Sequence, residues 1–220
     1  MSAVTDFAPT PRTRVRRAPK RAAYDRATVE AILDEGLICH LAFVHDGHPF
    51  CVPTLHARIG DAVYLHAATK ARWASVSEAC LTVTLVDGVV LARSAFHHSM
   101  NYRSATVVGP LRTVAEPGEK LAALEAFTEQ LLPGRWDEVR APSRQELKAT
   151  AVLAMPLAEA SAKVRTGGPV DDEEDYALPV WAGVVPLRTE AGEPIPDPRL
   201  AEGTGLPEHV RAWAPNRSGA

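Results

Sequence analysis

Apolar residues change their spacing along this chain, and each change marks an element. Between residues 25 and 36, Val29, Ile32 and Leu33 recur at helical spacing, Asp25 stands where a cap is needed, and Gly36 supplies the stop. From residue 37 the period shortens. Residues 37–44 form a mostly apolar run, and His45-Asp46-Gly47-His48 carries the Asp-Gly signature of a tight hairpin. Residues 50–59 predict a second strand, Gly60-Asp61 a second turn, and residues 62–67 a third strand. A short helix is predicted over 70–79, with Trp73 and Val76 three apart. Residues 81–86 and 89–95 read as strands joined by a hairpin at Asp87-Gly88, and 104–114 as another strand. Strands joined by tight glycine turns make an antiparallel meander. Closing it into a barrel removes its exposed edges.

Two helices interrupt this β pattern. Residues 117–132 begin with a proline, stop at Pro133-Gly134 and align Leu121, Leu124, Phe127 and Leu131. Ser143 and Glu146 have capping-box spacing, and the helix they start gives way to a final strand over 151–157. Residues 171–175 are an acidic loop, 180–187 a short apolar piece, and 190–220 a Pro/Gly-rich tail. At the other end, Arg12, Arg14, Arg16, Arg17, Lys20, Arg21 and Arg26 crowd together. The expected organisation is a basic flexible arm over 1–23, a barrel domain over 24–188 and a tail over 189–220. No internal repeat is present.

Composition narrows the class. With 220 residues, 46% hydrophobic and 23% charged, the chain can bury one core of useful size. A net charge of −3 argues against nucleic-acid binding by the whole domain, although the basic arm could touch nucleic acid or an acidic surface. No run approaches the ~18–20 apolar residues of a membrane span, and no signal-peptide pattern opens the chain. Three cysteines, Cys39, Cys51 and Cys80, match no zinc spacing. A reducing cytoplasm is the expected compartment.

Candidate chemistry falls in four places. Thr69, Lys70 and Arg72 offer a hydroxyl and two cations at a predicted helix start, which suits a phosphate; the plainer reading is a cap followed by surface cations. Pro53, inside a predicted strand, removes a ladder donor, as at an edge or where a ligand lies on the backbone. His97 and His98 sit in a polar and aromatic stretch and could serve as acid, base or metal ligand, or merely cap a loop. Tyr102 and Arg103 lead into the next strand as pocket candidates. Lys163 and Arg165 share a face and could pair with the acidic loop or meet an anion; Trp181 suits either the core or a flavin ring. Eight histidines show no metal-ligand spacing.

The ordered segments ICHLAFVHDGHPFCVPTLHAR, VYLHAATKARW, LVDGVVLARSAFHHSMNYRSATVVG and AKVRTGGP followed by LPVWAGVVPL resemble the pyridoxamine 5′-phosphate oxidase-related flavin-nucleotide-binding proteins, similar to the nitroimidazole-resistance group. That resemblance, over about residues 24–188, implies a mainly β fold with flanking helices: a six-stranded antiparallel split barrel of the FMN-binding type. It implies a homodimer with FMN at the interface, working as an oxidoreductase on a small planar substrate. Val52, Pro53, Thr54 and Leu55 would run under the flavin ring. His66, Thr69, Lys70, Ala71 and Arg72 would hold the phosphate, and Tyr102, Arg103, Ser104 and Trp181 would line the pocket. Related barrels use deazaflavin or haem instead, and a flavin-sensing module without catalysis is a further possibility. Thr69 is the one hydroxyl in the phosphate turn, where relatives often carry Ser or Gly.

Overall fold

A computed structural model describes residues 5–213. Helix α1 (Arg26–Glu35) starts where the Asp25 carboxylate accepts the Thr28 amide at 2.8 Å. It buries Val29, Ile32 and Leu33. Gly36 ends it against the sheet: a Cβ there would lie 2.3 Å from Val83 Cγ1, so only glycine permits the approach.

The strands follow as β1 (Ala22–Ala23), β2 (Ile38–His45), β3 (His48–Ile59), β4 (Ala62–Ala68), β5 (Glu78–Leu91) and β6 (Ser99–Pro110). They continue with β7 (Arg112–Thr113), β8 (Thr150–Pro156), β9 (Ala160–Arg165) and β10 (Gly183–Pro186). Asp46 and Gly47 both have positive φ, 51° and 76°, which matches the twist of the β2–β3 hairpin. Helices α2 (Pro117–Leu131), α3 (Arg144–Ala149) and α4 (Glu208–Arg211) complete the set, and the Ser143–Glu146 capping box forms as expected.

All ten strands join one open antiparallel sheet in the order β1-β9-β6-β5-β2-β3-β4-β8-β7, with β10 on β5. This is the expected antiparallel split barrel, with more strands than six because short pieces extend its margins. Inward residues of six strands, among them Leu41, Leu65, Leu81, Val107, Met155 and Ala160, share one core with α1. A second, smaller core lies on the outer side, where Ala123 and Phe127 of α2 meet Ala57, Tyr64 and Val152. Each large side chain so buried contributes about 1.5–3 kcal/mol.

Three local expectations are corrected. Asp87-Gly88 is not a hairpin: β5 runs straight through it with a bulge between Val86 and Gly88. The turn signal was satisfied otherwise, since Asp87 binds Arg103 and Gly88 admits β10, whose Val185 carbonyl would stand 3.0 Å from a Cβ. The helix expected over 70–79 shrinks to a 3-10 turn, Arg72–Ser75, because β5 takes the chain from residue 78. Residues 5–23, expected as a flexible arm, lie against the sheet, with Phe7 buried in the main core and β1 paired to β9. Residues 1–4 of that arm and 214–220 of the tail lie outside the described residues.

Candidate functional site

Strand alternation decides what each candidate can reach. Where β3 passes beyond its pairing with β4, at His56 opposite Leu65, it remains paired to β2 alone. Val52 turns inward to the core, while Pro53 and Leu55 turn outward with their β2 partners His40 and Ile38. Thr54, paired with the buried Cys39, follows Val52 inward. Only two of the four residues therefore offer their side chains to anything lying on the outer face; the strand offers its backbone throughout.

His66 stands on that outer face, on β4 opposite Val152. It borders a cavity of about 490 Å³ between the sheet, α2 and α3. Leu55, Leu124, Phe127, Leu131 and Trp136 supply apolar walls, and Arg140 and Glu146 stand at the polar side, 2.5 Å apart as an ion pair. The Phe127 ring meets the His66 ring edge-on at 4.9 Å between centroids. Burial lowers the His66 pKa, keeping its ring neutral at physiological pH. Among the described residues its nitrogens have no hydrogen-bond partner, so a lone pair is free to bind a metal. Sequence reasoning placed His66 on a phosphate, but a neutral imidazole against a phenyl ring gives an anion no charge. It missed Phe127 as a cavity wall because the α2 stripe reads equally well as packing against a sheet, and Trp136 because the short 3-10 turn that carries it has no period to read.

The turn after β4 is built by backbone bonds, Thr69 N–H to Ala149 O at 3.2 Å and Ala71 N–H to Ala68 O at 2.8 Å. Thr69, Lys70 and Arg72 are exposed and Ala71 half-buried. The Arg72 guanidinium lies 4.4 Å over the Phe50 ring, and neither cation has a carboxylate partner among the described residues. The four-residue turn that follows is too short to add a helix dipole. What remains for an anion is the hydroxyl and two uncompensated cations.

Tyr102 and Ser104 share the outer face, opposite Arg165 and Lys163 of β9. Arg103 points the other way. It binds the Glu35 carboxylate at the end of α1 and reaches Asp87 at 2.9 Å, so it ties three elements together instead of lining a pocket. His97 Nε2 lies 3.3 Å from Asp172, and His98 Nδ1–H donates to Ser94 O at 2.8 Å, both contacts of a surface loop. Arg165 does not pair with the acidic loop. It is 6% exposed and donates to Asn101 and to the carbonyls of Gly167 and Gly168. The acidic loop is held by Arg93, which bonds the buried Asp171 at 3.0 Å. Trp181 precedes β10, is 65% exposed, and is therefore not a core tryptophan; Gly183 leaves the space beside its ring.

Among the described residues no helix is long and apolar enough to cross a membrane, and no cluster of three His, Cys, Asp or Glu could hold a metal ion unaided.

Comparison with known proteins accords with this geometry. The flavocytochrome Anf3 from Azotobacter vinelandii is 42% identical, the match covering 93% of this chain and 97% of that one, with a TM-score of 0.89. An FAD- and haem-binding protein from Mycobacterium smegmatis is 39% identical, with coverage of 89% and 98% and a TM-score of 0.84. A putative 5-nitroimidazole antibiotic resistance protein from Bacteroides thetaiotaomicron, 21% identical over 65% of this chain and 86% of its own at a TM-score of 0.56, shares the fold. A comparison with curated proteins finds no match. Residues 25–164 match the pyridoxamine 5′-phosphate oxidase family, and the chain belongs to that family.

Proposed function

We propose that this protein is a flavin-dependent redox protein that carries haem as a second cofactor, with His66 as the iron ligand. The observation that carries the proposal is a neutral imidazole without a hydrogen-bond partner among the described residues, facing a largely apolar cavity of about 490 Å³. That volume lies within the range of cofactor pockets, and apolar walls with one nitrogen donor are what a porphyrin needs. The names of the two relatives near 40% identity, a flavocytochrome and an FAD- and haem-binding protein, support the same pairing.

The flavin has its own set of residues. Thr69, Lys70 and Arg72 fit a terminal phosphate because their charge is uncompensated. Pro53 and Leu55 offer a flat outer surface, and Tyr102 and Ser104 lie on the same side of the sheet. FMN is the flavin the family resemblance implies; FAD, named for the mycobacterial relative, is the alternative. Bound flavin supplies hydride acceptance and haem supplies one-electron chemistry. The chain contributes anchoring, exclusion of water by Leu55, Phe127 and Leu131, and an imidazole held neutral for metal by burial.

A homodimer completes the proposal. The outer face of β2 and β5 exposes Ile38, Val44 and Val86, interleaved with small residues such as Ala42 and Thr82. A second copy packed there would cover an apolar surface that water otherwise meets. We assign the pair to the cytoplasm, where three unpaired cysteines are stable.

An absorbance spectrum of the purified protein tests this, with mass identification of what denaturation releases. Flavin bands and a Soret band are expected, the Soret band lost or shifted in His66→Phe while the flavin bands persist. Protein that stays colourless after addition of FMN, FAD and haem refutes the proposal, and an unchanged Soret band in His66→Phe refutes the ligand.

A further inference from the structure

The basic segment lies against the sheet, and its charge is unspent. Arg14, Arg16, Arg17, Lys20 and Arg21 are all exposed, and no ion pair among the described residues involves any of them. Their neighbour Arg12 is the contrast, bound to both Glu78 and Glu159. Between Arg12 and Tyr24 the sequence holds no acidic residue. Lys163, on the strand that pairs with Ala22, and the buried Arg165, whose charge has no carboxylate partner among the described residues, extend the patch across the sheet edge. Arg21 lies close enough to oppose the charge of Arg165.

Five contacts hold this segment before any partner arrives. Phe7 is buried in the main core, and its amide donates to Tyr24 O at 2.9 Å. The Val15 amide donates to the Tyr24 hydroxyl at 2.9 Å. Thr13 is buried beside Thr10, and β1 binds β9. A cationic surface ordered in advance does not lose conformational entropy on binding, unlike a free arm.

We infer that this strap is the docking surface for a small acidic electron-transfer protein, an inference that rests on the redox reading above. The charge balance selects the occupant. The seven cations of the patch leave 17 others facing 27 carboxylates over the remainder of the chain. A long polyanion or an anionic membrane would extend past the patch onto that acidic surface and be repelled. A compact protein with a matching acidic face meets only the patch. The described part of the strap also exposes no aromatic residue that could stack bases, Phe7 being buried, and no apolar face that enters a bilayer. Opposite charge steers such encounters and is lost as salt shortens the screening length.

The test uses the full chain with its cofactors and, as probe, a purified acidic [2Fe–2S] ferredoxin. Binding is read by calorimetry at about 50 mM and 500 mM salt, where the screening length falls from beyond 10 Å to under 5 Å. Duplex DNA and phosphatidylglycerol vesicles are the comparison arms. Wild type is expected to bind ferredoxin at low salt at least tenfold tighter than at high salt. Arg14→Glu/Arg16→Glu/Arg17→Glu is expected to weaken it about tenfold or more, with an unchanged melting temperature. Lys20→Glu/Lys163→Glu reads the same surface should the triple variant fail to fold. Equal affinity of wild type and the charge-reversed variants for ferredoxin overturns the inference, and so does tighter binding of DNA or vesicles than of ferredoxin. Flavin and haem content of the same samples is scored separately, so that loss of the redox reading is seen apart from loss of docking.

Discussion

Replacing Arg103 with methionine separates a structural arginine from a cofactor-lining one. Its guanidinium holds the Glu35 carboxylate, whose side chain is 7% exposed, and also the Asp87 carboxylate at 2.9 Å. The two acids raise its pKa, with Glu35 the larger cause. Methionine keeps most of the buried stem and removes the charge, leaving a buried carboxylate beside a second one. Breaking a fully buried pair this way costs about 3–5 kcal/mol. Because the Arg103 side chain is 27% exposed, the expected loss is smaller, about 2–3 kcal/mol. For a chain of this length that lowers the melting temperature by roughly 5–10 °C. Glu35→Gln combined with Arg103→Met removes the buried Glu35 charge as well and should recover about half of the loss. Thermal unfolding of wild type, both single variants and the double variant measures this, with flavin affinity below the transition as the second readout. Equal destabilisation in Arg103→Met and the double variant would place the cost in packing. A normal melting temperature with abolished flavin binding would return Arg103 to the pocket.

Two further outcomes follow from buried groups. His56 is 1% exposed, its Nε2–H donating to Leu33 O at 2.8 Å and its Nδ1 unpartnered, and burial lowers its pKa. A depressed imidazole takes its proton first in the unfolded chain, so stability is intact above pH about 6.5 and declines below it, by up to ~1.4 kcal/mol per pH unit. Urea midpoints between pH 7.5 and 5 should fall for wild type and fall less for His56→Gln; parallel slopes would remove His56 as the cause. Phe7→Ala should cost about 2–4 kcal/mol and speed tryptic cleavage between Arg14 and Arg21, since Phe7 is the large side chain of the described segment that is buried in the main core. An unchanged melting temperature and cleavage rate would show the strap to be held elsewhere.

The β meander was legible because its signals are local. Asp46-Gly47 imposes positive φ on two residues, and alternating burial along β2 follows from a period of two. The errors arose where a local signal had a distant use. Asp87-Gly88 has hairpin chemistry, yet the aspartate binds Arg103 sixteen residues away and the glycine makes room for a strand almost a hundred residues later. The same long reach pulled the basic arm onto β9 and cut short the helix expected over 70–79.

Site residues divide by the same rule. Which of Val52, Pro53, Thr54 and Leu55 faces outward is fixed by alternation, but alternation cannot name the face that stays open. His66 was found from its place in an ordered motif; its surroundings were not, because Phe127 of α2 and Trp136 of the 3-10 turn after it arrive from about sixty to seventy residues downstream. Arg103 and Arg165 illustrate the converse. Two arginines on neighbouring strands looked equally available to an anion, and tertiary structure gave one a pair of carboxylates and the other only an amide oxygen and backbone carbonyls. Arg103 has therefore been neutralised within the fold. Arg165 has been hydrogen-bonded without being neutralised, burial lowers its pKa, and under the docking inference its remaining charge adds to that of the exposed cations of the strap.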